Sequence, residues 1–272
     1  MVDPGVSTAT RKVVRKVIRE AAPPEGFIWA YFDQCKKYND WEGNQRRKFE
    51  KLAIALKSDP DGSQTLQDAG AVLWGLRTSY RVQYFTQAMK KPFVVAALRH
   101  PQVRDWIARE APSLFQAQEA EASAVWETIR QILTDLRGQK IRRDYSLVTK
   151  FLHFLFPNTV VIYDSQAAAS IAVWRYFAFA SEYSQAGADG EAPNADHYRY
   201  STLADPSGSG YEYVCAFYRR FWASATEQER ADLQRVSSEL ANTVRHSVTV
   251  TDLLDKLLWK ANGNAVHLGL LD

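Results

Sequence analysis

Apolar positions recur at helical spacing along almost the whole chain. From Gln45 to Lys57, Phe49, Leu52, Ala53 and Leu56 fall three or four residues apart and so share one face of a helix. That helix should stop at Asp59-Pro60-Asp61-Gly62-Ser63, a run of turn-forming residues. Further helices are expected at about 65–77, 81–89, 92–99 and 102–109, with Pro92, Pro101 and Pro112 each placed where a helix stops or restarts. A longer helix should cover about 113–137, carrying Leu114, Phe115, Val125, Trp126, Ile129, Leu133 and Leu136 and ending at Gly138. Upstream, residues 7–21 set Val13, Val14, Val17 and Ile18 against Arg11, Lys12, Arg15, Lys16 and Arg19, and Pro23-Pro24 ends that helix. Residues 26–38 add Phe27, Ile28, Trp29, Tyr31 and Phe32 to the expected core.

The stretch from Asp144 to Ala169 has a different pattern. Leu147, Val148, Phe151, Leu152, Phe154 and Leu155 cover more than one helical face, which predicts a central, buried helix. Pro157 stops it, Val160 to Tyr163 form a short extended apolar run, and Asp164 stands where a second helix begins, running to about Tyr183. Residues 186–210 read as a long polar loop marked by Gly187, Gly190, Pro193, Pro206, Gly208 and Gly210, with His197, Tyr198, Arg199 and Tyr200 inside it. Loops of this length are either functional or simply flexible. Helical pattern returns over Tyr211–Ala223, then from the capping box Thr226-Glu227-Gln228-Glu229 to about His246, and finally over Thr251–Ala261 with Asn262-Gly263 as its stop. Strand signal is almost confined to Val160–Tyr163. The expected fold is all-α and multi-helix, either one compact unit over 1–272 or two closely packed helical lobes of about 1–138 and 139–272.

Composition narrows the class. With 46% hydrophobic and 12% aromatic residues there is ample material for a core. No run of 18 apolar residues occurs, so no membrane span is expected, and the N-terminus lacks the apolar region of a secretory signal. Cys35 and Cys215 have no metal-type spacing, and two cysteines cannot hold a four-cysteine iron–sulfur cluster. The expectation is a cytoplasmic monomer with no cofactor and no metal cluster. The net charge of +3 is unevenly spread: residues 1–150 hold 25 Lys/Arg against 17 Asp/Glu (+8), and residues 151–272 hold 9 against 14 (−5). A basic half beside an acidic half suits a protein that meets a polyanion on one side, although helical proteins also carry uneven solvated charge. There is no phosphate-binding glycine loop, no His-Glu-x-x-His and no Gly-x-Ser-x-Gly.

The chemistry worth weighing is Lys150 with Asp164. A lysine among Leu147, Phe151 and Phe154 loses hydration, which favours a nucleophilic amine, while Asp164 at a helix N-terminus is held ionised by free N–H groups. Taken singly, Asp164 reads equally as a plain cap, and Lys150 as a side chain reaching out to water. Together, Val148-Thr149-Lys150-Phe151-Leu152, Pro157 and Ile162-Tyr163-Asp164-Ser165 resemble the helix-hairpin-helix DNA glycosylase superfamily, in its bacterial 8-oxoguanine DNA glycosylase-like branch. A shorter likeness lies in Val250-Thr251-Asp252-Leu253-Leu254 through Leu258-Trp259.

The resemblance implies a helix-hairpin-helix glycosylase-like fold that grips double-stranded DNA and excises a modified base, with or without cleavage of the abasic strand. Lys150 would be the nucleophile and Asp164 the carboxylate that stabilises the sugar cation. Arg142, Arg143, Tyr145, Ser146 and Thr149 would contact DNA; His197, Tyr198 and Tyr200 of the polar loop would line the base pocket with His153, although His153, one turn after Lys150, reads first as a packed side chain. The family hairpin is glycine-rich just before the lysine. This chain reads Lys140-Ile141-Arg142-Arg143-Asp144-Tyr145-Ser146 there, so charged side chains would take over from a cradle of backbone amides. Base repair and defence against modified phage DNA are both roles that fit. The alternative is a helical DNA-binding or partner-binding protein without catalysis.

Overall fold

A computed structural model of the chain describes residues 43–79, 85–109, 111–116, 119–137 and 145–163, and residues 211–255 apart from 212, 213, 216, 217, 220, 221, 224 and 226. Every regular element among them is a helix. In order these are α1 (43–58), α2 (Ser63–Ser79), α3 (Gln87–Arg99), α4 (Pro101–Ala108), α5 (Glu119–Arg137) and α6 (Tyr145–Leu155), then helical residues within 211–223, α7 (Glu227–Val244) and α8 (250–255). The helices expected at 7–21, at 26–38 and from Asp164, and the loop 186–210, lie outside the described residues. The all-α expectation holds for the rest.

The core is an aromatic ladder built on α6. Phe151 lies edge-on to Phe49 of α1 (5.6 Å between centroids) and to Phe93 of α3 (5.5 Å). Phe93 meets Phe85 at 5.7 Å, and Phe49 meets Phe154 at 5.1 Å. Phe49, Phe85, Phe93 and Phe151 are essentially inaccessible to water. Loss of any of these rings would cost about 3–5 kcal/mol in transfer and cavity terms. This explains the absence of an amphipathic stripe on α6: helices α1, α2, α3 and α5 surround it. Where α1 crosses α2, a Cβ on Gly75 would sit 2.5 Å from the Gln45 amide oxygen, so glycine permits the close approach.

Two helix boundaries differ from the expected pattern. Pro92 does not divide two helices; it sits inside α3. As the sixth residue it deprives only the Ala88 carbonyl of a partner, and the buried face of Phe93, Val94, Ala97 and Leu98 carries the helix through. Leu114 and Phe115 precede α5 in a turn. The Leu114 amide bonds to the Asn158 carbonyl (2.7 Å) and the Phe115 ring stacks on Trp222 (4.7 Å), so tertiary contacts take groups that a helix would have used. Pro101, by contrast, does open α4, behind an N-cap in which His100 Nδ1 accepts the Gln102 amide.

Candidate functional site

After α6 the chain turns at residues 157–159 and returns along it as the extended segment 160–163, which has no strand partner among the described residues. Its backbone groups are met by side chains instead. Tyr211 Oη accepts the Val161 amide (3.2 Å), Thr149 Oγ1 accepts the Tyr163 amide (3.1 Å), and the Val160 carbonyl lies 2.6 Å from His153 Nδ1. Trp126, Tyr163 and Tyr211 pack mutually at 5.5–6.0 Å behind it. Burial pushes the Tyr211 phenol well above its ordinary value, so it stays protonated.

Lys150 lies on α6 in this surrounding and is 3% exposed, so its side chain does not reach out to water. Its Nζ donates to Ser146 Oγ at 2.6 Å, one helical turn back. The Tyr163–Thr149 bond ties the residue before Asp164 to the residue before Lys150. Asp164 itself lies outside the described residues, as do Arg142, Arg143, His197, Tyr198 and Tyr200.

The remaining expected site residues, Tyr145, Ser146, Thr149 and His153, all lie on α6. Tyr145 opens α6, so the helix begins five residues before Lys150. Thr149 is fully buried, its hydroxyl bonded to the Ser146 carbonyl and the Tyr163 amide, which leaves it no exposed surface for DNA in this conformation. Ser146 holds the lysine. His153 is also fully buried; a cleft of about 210 Å³ at the end of α6 is lined by Leu56, Lys57, Trp106, Arg109, Phe156 and Asn158 among others, and by neither His153 nor Lys150.

His153 belongs instead to a buried ionic node that the sequence reading missed. Its Nε2 is 2.9 Å from Asp252 Oδ1, and both Asp252 oxygens accept from the Arg46 guanidinium, Oδ2 at 3.2 Å. Asp252 is also the acid of a capping box: the Thr249 amide (2.8 Å) and hydroxyl (2.9 Å) donate to its Oδ2, and the Asp252 amide donates back to Thr249 Oγ1. Arg46 lies over the Phe154 ring at 4.7 Å. Burial alone would raise the Asp252 carboxyl, but the Arg46 charge, the His153 contact and the Thr249 bonds override it and hold it far below the usual carboxylate range. Both His153 ring nitrogens thus face oxygen acceptors, the Val160 carbonyl and the Asp252 carboxylate. Two signals for the node were present: an arginine on the apolar side of a clean amphipathic helix, and Thr249-x-x-Asp252.

Among the described residues no group of three His, Cys, Asp or Glu side chains could hold a metal, and no helix is long and apolar enough to cross a membrane. Comparison with known proteins finds no family model, no curated protein and no solved structure that matches the chain.

Proposed function

We propose that the chain is a DNA glycosylase that removes a modified base, with Lys150 as nucleophile and Asp164 as the stabilising carboxylate. The observation that carries this reading is a lysine buried on the central helix, its amine held by Ser146, with the chain leading into Asp164 tied to its neighbour Thr149. Burying an ammonium-bearing side chain costs several kcal/mol, and a plain surface lysine would avoid that cost.

In the proposed reaction the Lys150 nitrogen lone pair attacks the sugar C1′. The C1′–N bond breaks with its electrons leaving on the base, which takes up a proton. Asp164 stabilises the cationic sugar as that bond breaks. Loss of a proton from nitrogen and opening of the sugar ring give a Schiff base. Removal of a C2′ proton then expels the 3′ phosphate if the enzyme is also a lyase. The target nucleotide must leave the duplex stack first. Modified bases in damaged DNA or in phage DNA are the two substrate sources to compare.

The test is borohydride reduction during incubation with duplexes carrying a panel of modified bases. Hydride delivered to the Schiff base should leave a covalent protein–DNA adduct with wild-type protein and none with Lys150→Gln. Absence of an adduct and of base release across the panel would leave the alternative, a non-catalytic DNA-binding protein. That alternative draws on the burial of Thr149 and the start of α6 five residues before Lys150, both unlike a gripping hairpin.

A further inference from the structure

Helix α1 gives its inner side to Gln45, Arg46, Phe49, Leu52 and Leu56, all buried. Its outer side carries Arg47, Lys48, Lys51 and Lys57, all exposed. None of these four has an ion pair or hydrogen bond among the described residues. The acid on the same helix, Glu50, is half-buried and its carboxylate accepts the Ser247 amide at 2.8 Å. Beyond the helix end, the Asp61 carboxylate is taken by Arg104 at 2.5 Å. Asp59, just past residue 58, is an exposed carboxylate beyond the end of the helix.

Cations three and four residues apart on a helix repel one another, so this face is arranged against its own stability unless an anion covers it. From Arg47 to Lys57 the helix rises about 15 Å, and one strand of duplex DNA advances about 3.4 Å per phosphate. Over about 15 Å of duplex axis the two strands together carry enough phosphates for each of the four cations to meet one. The face exposes one large apolar side chain, Ile54 at 68%, where a protein interface would gather several around a dry centre. We propose that the outer face of α1 is a track for the phosphates of duplex DNA. The proposal rests on the DNA-binding part of the reading above and not on its chemistry.

The experiment compares wild-type protein, a variant with Arg47, Lys48, Lys51 and Lys57 all replaced by glutamine, and a charge-matched variant with Lys91, Arg99, Arg130 and Arg235 replaced by glutamine. Affinity for an unmodified duplex is followed by fluorescence anisotropy from low to moderate salt, after circular dichroism has shown equal helix content. Wild type should give a steep log–log salt dependence, and the α1 variant a slope shallower by about 3–4, near 0.9 per lost phosphate contact. The charge-matched variant should keep the wild-type slope. Equal flattening in both variants would reduce the effect to net charge and overturn the track, as would an unchanged slope in the α1 variant or a flat wild-type profile. A variant that kept the DNA slope but lost binding to polyglutamate would assign the face to an acidic protein instead. Borohydride adducts read on the same proteins, at saturating concentration, separate this outcome from the fate of Lys150: the α1 variant should still form them if wild type does.

Discussion

Asp252 is the residue whose replacement should be felt most. Each ion of a buried pair gives up hydration at a cost of several kcal/mol, and only good geometry and further hydrogen bonds repay it. Asp252 has both: two contacts from Arg46, one from His153 and two from Thr249. Asp252→Asn removes the carboxylate charge that faces the buried Arg46 guanidinium, so it should destabilise the fold by about 3–5 kcal/mol. The melting temperature should fall on the order of 10 °C at pH 7. A fall of only a degree or two would show that the pair is solvated in solution. The pH dependence has a definite sign. A carboxyl held lower in the folded than in the unfolded chain adds stability that is complete above its unfolded value of about 3.9. As pH falls below that value the unfolded state binds the proton first, and the contribution is lost. The melting temperatures of wild type and Asp252→Asn should therefore converge as pH drops from about 5 towards 2, and parallel curves would refute the assignment.

Ser146 acts at the same scale on a different quantity. Its hydroxyl accepts one N–H of Lys150 Nζ, and in the proposed reaction that bond would orient the attacking nitrogen. Ser146→Ala takes an acceptor from a buried donor and should cost about 1–3 kcal/mol of stability, and if the proposed reaction holds it should also slow borohydride trapping of the folded protein. Ser146→Thr, which keeps the oxygen, should recover much of the rate. Equal trapping by all three proteins would make the contact incidental.

At the scale of elements, helix ends decide several outcomes. Helix α7 stops at Val244, and Arg245 follows it with φ at 58°, in the left-handed region, its amide closing onto the Ala241 carbonyl at 2.9 Å. An L-residue with a Cβ pays about 1–2 kcal/mol there and glycine does not, although glycine also frees the unfolded chain. Arg245→Gly should therefore raise stability by about 0.5–1 kcal/mol, read as a higher denaturant midpoint with an unchanged slope; a lower midpoint would mean that the Arg245 side chain makes a contact that outweighs the strain. The same local forces explain what could be read from sequence. Periodicity located α1, α2, α4, α6 and α7 because each buries a face, and Asp59–Ser63 and Pro157 mark real turns. It divided α3 at Pro92 because a proline signal takes no account of the buried face that spans it. It began α5 too early because Leu114 and Phe115 keep the apolar pattern while their contacts lie in other elements. Lys150 was legible as a lysine in an apolar helix. The node of Arg46, His153 and Asp252 was not, because pairing across 206 residues leaves no local period.

Across the whole molecule, the last described segment completes the core begun by the first. Tyr211 closes the ring cluster with Trp126 and Tyr163, Trp222 stacks on Phe115, Glu50 accepts the Ser247 amide, and Asp252 joins Arg46 of α1 to His153 of α6. The ladder through Phe49, Phe93 and Phe151 likewise crosses the junction near residue 138 at which two lobes were considered. Contacts of this kind bury apolar area at about 25 cal/mol per Å² and need no continuous chain. A cut between 186 and 210 should therefore leave two pieces that stay together. With a protease site inserted there, the cleaved protein should elute from a sizing column as one species at the mass of the intact chain, and it should keep any borohydride trapping that the intact protein shows. Asp252→Asn should weaken the pairing enough for the pieces to separate on dilution, since the charged link between them is then gone. Separation of the wild-type pieces without denaturant would show that the C-terminal segment is held by the chain and not by the core. Persistence of the Asp252→Asn pair at the wild-type dilution would place the holding energy in the aromatic contacts alone.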